Sequence, residues 1–201
     1  SAETQFSVTW GHIEGSGSDT RGDSQNNINT LNGESEAIYR QFSSLLQEET
    51  EALNGFKIAQ QGTYGALASG VVDKHIYVFV GKRERFKDRI NKKAWTIVLS
   101  GSNSAGQAAS AITLTDDSVH VAGVATPGGP RYNIISGALG SPYISQSSGV
   151  DAHTVQTAYA SRTYGWFYPE MGCMVFSGTE LSASIPGDKD GPFMTASFSA
   201  V

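Results

Sequence analysis

Residues 163–181 read TYGWFYPEMGCMVFSGTEL. Four aromatic residues fall between Tyr164 and Tyr168. A Pro169-Glu170-Met171-Gly172 turn signal follows, and then a second apolar run from Cys173 to Phe176, closed by Ser177 and Gly178. Two β-prone runs around a Pro- and Gly-bearing turn predict a β-hairpin. Both runs are almost continuously apolar, so both hairpin faces need a cover other than solvent, either another sheet or another subunit. Trp166, Phe167, Tyr168, Pro169 and Phe176 are therefore the candidate packing or interface residues.

Upstream of the hairpin, Phe6, Val8 and Trp10 alternate with Ser7 and Thr9, the period-two pattern of a strand. Residues 11–33 form a long polar loop rich in Gly, Ser, Asn and Asp. Residues 34–49 carry Ile38, Phe42, Leu45 and Leu46 at helical spacing, with Ser35 as the expected N-cap and Asn54-Gly55 as the stop. Strands are predicted over 76–80, 95–100, 111–114, 118–124 and 193–198. Weaker strand candidates lie at 56–58, 131–135, 143–145 and 154–160, and a short helix at 179–184. The expected fold class is mainly β (α+β): an antiparallel, sandwich-like β domain with one N-terminal amphipathic helix and a short basic helix. Residues 1–33 would be a strand and polar arm, and 34–201 the β-rich structural domain.

The composition bounds the function classes. Hydrophobic residues make up 39% of the 201, enough for a core, whereas the charged fraction of 16% is low for a freely diffusing protein and suits one that lies against neighbours. A net charge of −5 argues against a general nucleic-acid binder. The single cysteine, Cys173, excludes an internal disulfide and reads as a small buried hydrophobe. No run approaches the ~20 apolar residues of a membrane helix. The first ten residues lack the pattern of a signal peptide, so a cytosolic origin is expected.

Half of the fourteen basic residues fall between positions 82 and 93: Lys82, Arg83, Arg85, Lys87, Arg89, Lys92 and Lys93. On a helix, Phe86 and Ile90 would face inward, and Glu84 and Asp88 would pair with Lys87 and Lys92. The interleaved acids favour a solvated or subunit-facing surface over a phosphate strip. Arg21-Gly22-Asp23 is a short adhesion-like match of the kind that chance supplies. Asp19, Asp23, Asn26 and Asn27 lack the spacing of a calcium loop. His12, His75, His120 and His153 show no zinc spacing. The pairs Asp116-Asp117 and Asp188/Asp190 sit in turn-like sequence, where Asp serves local hydrogen bonding. No catalytic motif, cofactor or metal is expected.

Three blocks occur together. The first runs from Ser35 to Phe42 with Leu45 and Leu46. The second runs from His75 to Val78 and continues through Arg83, Arg85 and Lys87 to Trp95–Leu99. The third runs from Tyr164 to Gly172 and on to Val175 and Phe176. In this order and spacing they resemble virion structural proteins of large contractile-tailed bacteriophages (myoviruses), including those of cyanobacteria. The resemblance implies a non-enzymatic particle component, assembled in the host cytoplasm and resident in the virion. Its partners would be copies of itself and other virion proteins. Tail or baseplate is the expected location, with head or neck decoration as an alternative. A lectin-like carbohydrate-binding module using Trp10, Trp166, Asn26 and Asn27 is a competing expectation, and a hydrolase using an Asp pair is a third.

Overall fold

The computed structural model describes residues 4–15, 33–58, 72–86, 88–101, 111–142, 163–184 and 194–200. In chain order the elements are β1 (Phe6–His12), α1 (Glu34–Leu46), α2 (Glu49–Ala52), β2 (His75–Gly81), β3 (Trp95–Gly101), β4 (Ile112–Asp116), β5 (Tyr132–Ala138), β6 (Ser141–Pro142), β7 (Gly165–Tyr168), β8 (Cys173–Ser177), α3 (Gly178–Ser184) and β9 (Met194–Ala200).

The chain is mainly β. The described strands join in one antiparallel, curled sheet of order β1-β2-β8-β7-β5-β4-β3-β9, with β6 paired to β5. The hairpin read from the sequence is its centre: Trp166 pairs with Val175 and Phe167 with Met174. β2 continues the sheet on the β8 side and β5 on the β7 side. Because β5 joins β7 to β4, the hydrogen-bonded path through the described strands is unbroken.

Side-chain alternation gives the sheet two apolar faces. Phe79, Phe167, Met174 and Phe176 point into the curl. They meet Trp95, Ile97, Leu99 and Leu114 arriving from β3 and β4. The Trp95 and Phe167 rings meet edge to face at 5.3 Å. Ile76, Val78, Trp166, Tyr168, Cys173 and Val175 point the other way, where Tyr39 and Leu46 of α1 and the segment carrying Phe56 and Ile58 cover them. Both hairpin faces are thus covered from within the chain. Burial of such side chains contributes roughly 1.5–3 kcal/mol each, which makes this centre the main source of apolar stabilisation.

The helix differs from expectation in its face and its ends. Its buried positions are Ser35, Tyr39, Ser43 and Leu46, whereas Leu45 is exposed and Ile38 half-buried. The rotation follows from Tyr39. Its hydroxyl donates to the Asp73 carbonyl at 2.8 Å and accepts the Phe56 N–H at 2.8 Å, so this side chain must face inward. Gly11 permits the approach, since a Cβ there would lie 3.0 Å from the Tyr39 nitrogen. Gly33, not Ser35, occupies the N-cap. The helix stops at Gln47, which turns extended; its side chain accepts from Ser43 Oγ and donates to the Gly55 carbonyl. α2 then restarts before Gly55, whose φ of +83° suits glycine.

Three further expectations are corrected. Residues 83–85 make a single 3-10 turn, and the other described residues of the basic run are irregular, so what they form is that one short turn and not a longer basic helix. Its backbone bonds go to distant partners instead: Ile90 N–H to the Pro169 carbonyl, and Lys93 N–H to Asp116 Oδ1. Residues 118–124 form a turn, because the Asp117 carbonyl accepts from both His120 and Val121, and only Val124 bridges to Arg131. Phe56 and Ile58 are buried without belonging to a strand. The expected strands at 143–145 and 154–160, Lys87, the Arg21-Gly22-Asp23 and Asp19–Asn27 features, His153 and the Asp188/Asp190 pair lie outside the described residues.

Candidate functional site

The aromatic candidates are buried inside the chain. Trp166 is 3% exposed, and Phe167, Tyr168 and Phe176 are fully enclosed. Pro169 is also buried, and its carbonyl receives the Ile90 N–H. Trp166 lies between the Phe56 ring, at 5.9 Å, and the Arg131 guanidinium, 3.8 Å from its own ring centroid. Arg131 is itself buried, and the indole face is one of the groups that compensate its charge. Burial pushes the Tyr168 phenol well above its ordinary pKa, with the nearby Arg131 opposing the shift. Burial likewise pushes the Cys173 thiol up to about 12, so it is not a thiolate nucleophile near neutral pH.

Several carboxylates act as internal ties. Asp73 Oδ2 accepts the Ile58 N–H and Oδ1 accepts the Ser177 hydroxyl, each at 2.5 Å. This links the cover segment to the end of β8. Asp116 takes the Lys93 N–H and the Ser118 hydroxyl, while Asp117 takes both the backbone N–H and the side-chain amide of Asn133. The Asp116-Asp117 pair therefore holds the β3 and β5 approaches in place, and its oxygens are engaged by neighbouring donors. Sequence reading missed Asp73 and Arg131, because their partners Ser177 and Trp166 lie far along the chain and no local pattern announces them.

At one end of the edge strand β1, His12 and His75 face each other across the β1–β2 ladder with ring centroids 4.5 Å apart, and Trp10 stacks on His75 at 6.1 Å. Glu14 and Lys74 pair beside them at 2.8 Å. Burial, then the neighbouring His12 and Lys74, lowers the His75 pKa below its usual value. Lys74 holds the Glu14 carboxyl below the usual carboxylate range. Val8, on the same face as Trp10, is 50% exposed.

The other end of β1 borders a cavity of about 1150 Å³, large enough for a small organic ligand. Phe6, Phe79, Ile90 and Met174 supply apolar lining, and Arg83, Arg85 and Arg89 supply charge from the basic run, together with Asp88 and Glu170. Arg83 is held by a bond to the Glu170 carbonyl at 3.0 Å and lies 5.0 Å from the Phe86 ring centroid. Lys82 pairs with Glu84 at 3.2 Å. Lys92 donates to the Tyr132 hydroxyl at 2.9 Å and sits over that ring, while Lys93 adopts φ +66° at its turn. The basic run is thus divided. Three arginines line the cavity, and Lys92 braces β5.

Among the described residues, no group of three or more His, Cys, Asp and Glu side chains is arranged to hold a metal ion, and no helix is long and apolar enough to cross a membrane. Comparison of the chain with known protein families, curated proteins and solved structures gave no match.

Proposed function

We propose that the chain is a structural subunit of a tailed-phage virion, of the tail or baseplate, working through contacts with copies of itself and with other particle proteins. The observation that carries this reading is where the three resembling blocks fall. They form α1, the run from β2 to β3, and the β7–β8 hairpin, which together build the central sheet and its cover. The proposed resemblance to phage structural proteins therefore falls on scaffold. The sandwich-like closing of the curled sheet on itself gives such a scaffold rigidity.

Contacts between copies would use what the scaffold leaves outside. β1 ends the described sheet and presents half-exposed Val8 beside Trp10. A sheet edge with apolar side chains is a ready surface for pairing or packing, and a charge placed on it opposes that. Wild-type protein should form a multi-copy species by light scattering, and Val8→Lys should raise the concentration needed for assembly at least tenfold without changing the far-UV spectrum. An unchanged assembly in Val8→Lys would remove β1 from the contact, and a wild-type monomer at all concentrations would remove the reading itself.

The lectin reading keeps one half-buried aromatic, Trp10 beside His75. Trp166 is enclosed and offers no sugar platform. A glycan array on the isolated chain separates the two readings.

A further inference from the structure

We propose that the cavity beside the basic run is a binding site for an anionic amphiphile, an organic acid whose charged group meets Arg85 and Arg89 and whose apolar body lies on Phe6, Phe79 and Met174. This goes beyond a structural role and does not depend on assembly.

Charge, polarity and rigidity point the same way. The chain carries a net −5, yet this cavity gathers three arginines against two carboxylates. Lys82 and Glu84, which neutralise each other nearby, are not part of the lining. Guanidinium groups carry five donors each and suit carboxylate or phosphate oxygens. Arg83 uses one donor on the Glu170 carbonyl, which fixes its place while leaving others for a ligand. The apolar part is continuous with the core, since Phe79 stacks on Phe6 at 5.5 Å and meets Phe176 at 4.9 Å. A purely ionic ligand would leave this lining wet, and a neutral one would make no use of the charge that the guanidinium groups bring to it.

The wall is also held in place before any ligand arrives. Phe86 seats on Gly172, Ile90 N–H bonds the Pro169 carbonyl at 3.0 Å, and Gly81 N–H bonds the Gly172 carbonyl at 2.8 Å. A site fixed in advance loses less conformational freedom on binding.

The test is calorimetric titration of the full chain with decanoate below its micelle concentration, with decanol and decylammonium as comparison probes. Amide chemical shifts provide the location. Decanoate should saturate at least tenfold more tightly than either comparison probe, weaken as salt is raised, and shift the amides of Phe86, Ile90 and Gly172. Arg85→Gln with Arg89→Gln should weaken it at least fivefold, while Lys82→Gln should leave it unchanged. Should the double variant fail to fold, Arg89→Gln alone, at an exposed side chain, should still weaken binding at least twofold. Absence of saturation, equal binding of decylammonium, shifts confined to other residues, or indifference to the arginine substitutions would overturn the proposal.

Discussion

Trp166→Ala is expected to destabilise the chain by about 3–5 kcal/mol, the usual cost of truncating a buried aromatic. The upper end of that range applies, because two things are lost together. Phe56 loses a ring neighbour at 5.9 Å, and the buried Arg131 guanidinium loses the indole face lying 3.8 Å away. A buried cation stripped of one of its compensating neighbours is costly in its own right. Chemical denaturation measures the loss, and it should be independent of protein concentration because the ring is covered by the same chain. Loss of stability only below the assembly concentration would place Trp166 at a contact between copies.

Gly172→Ala should cost about 2–5 kcal/mol, from two separable sources: roughly 1–2 for a side chain in the left-handed region and roughly 1–3 for overpacking. Gly172 has φ +69°, and a Cβ there would stand 2.1 Å from Phe86 Cζ. The seat of Phe86 on the hairpin turn is one of the ties between the basic run and the hairpin, beside the Ile90–Pro169 and Arg83–Glu170 bonds. Combining Gly172→Ala with Phe86→Ala in a double-mutant cycle should therefore recover the overpacking part and leave the backbone part. Full additivity of the two substitutions would show that Phe86 does not rest on Gly172.

Elements whose partners are announced by local pattern were legible in the sequence. The alternation of Phe6, Val8 and Trp10, the apolar run from Ile76 to Val80 and the two halves of the hairpin each correspond to a strand. The need for a cover on both hairpin faces was legible as well, although its source was not. Sequence offered another sheet or another subunit, and the cover is the curl of the same sheet on one side and α1 with Phe56 and Ile58 on the other. Where long-range bonds decide, local reading misled. The spacing of Phe86 and Ile90 fits a helix, and both do turn inward, but they do so from a loop pinned by Gly172 and Pro169, which lie far along the chain. The face of α1 is set by a hydroxyl reaching Asp73, which no helical periodicity encodes. The cavity was hidden for the same reason: its arginines are adjacent in sequence, but its floor comes from β1, β2 and β8.

The account rests on the hairpin being sealed by its own chain, and the sole cysteine reports on that directly. Cys173 lies within β8, is 4% exposed, and has a thiol that burial makes hard to ionise. Thiol-reagent labelling of wild type and of Val8→Lys, each across a wide dilution series, should proceed slowly, at a rate that follows global unfolding and ignores protein concentration. Labelling that accelerates as the protein is diluted, or that is fast in native Val8→Lys, would mean that a neighbouring subunit covers the hairpin, and would contradict the account.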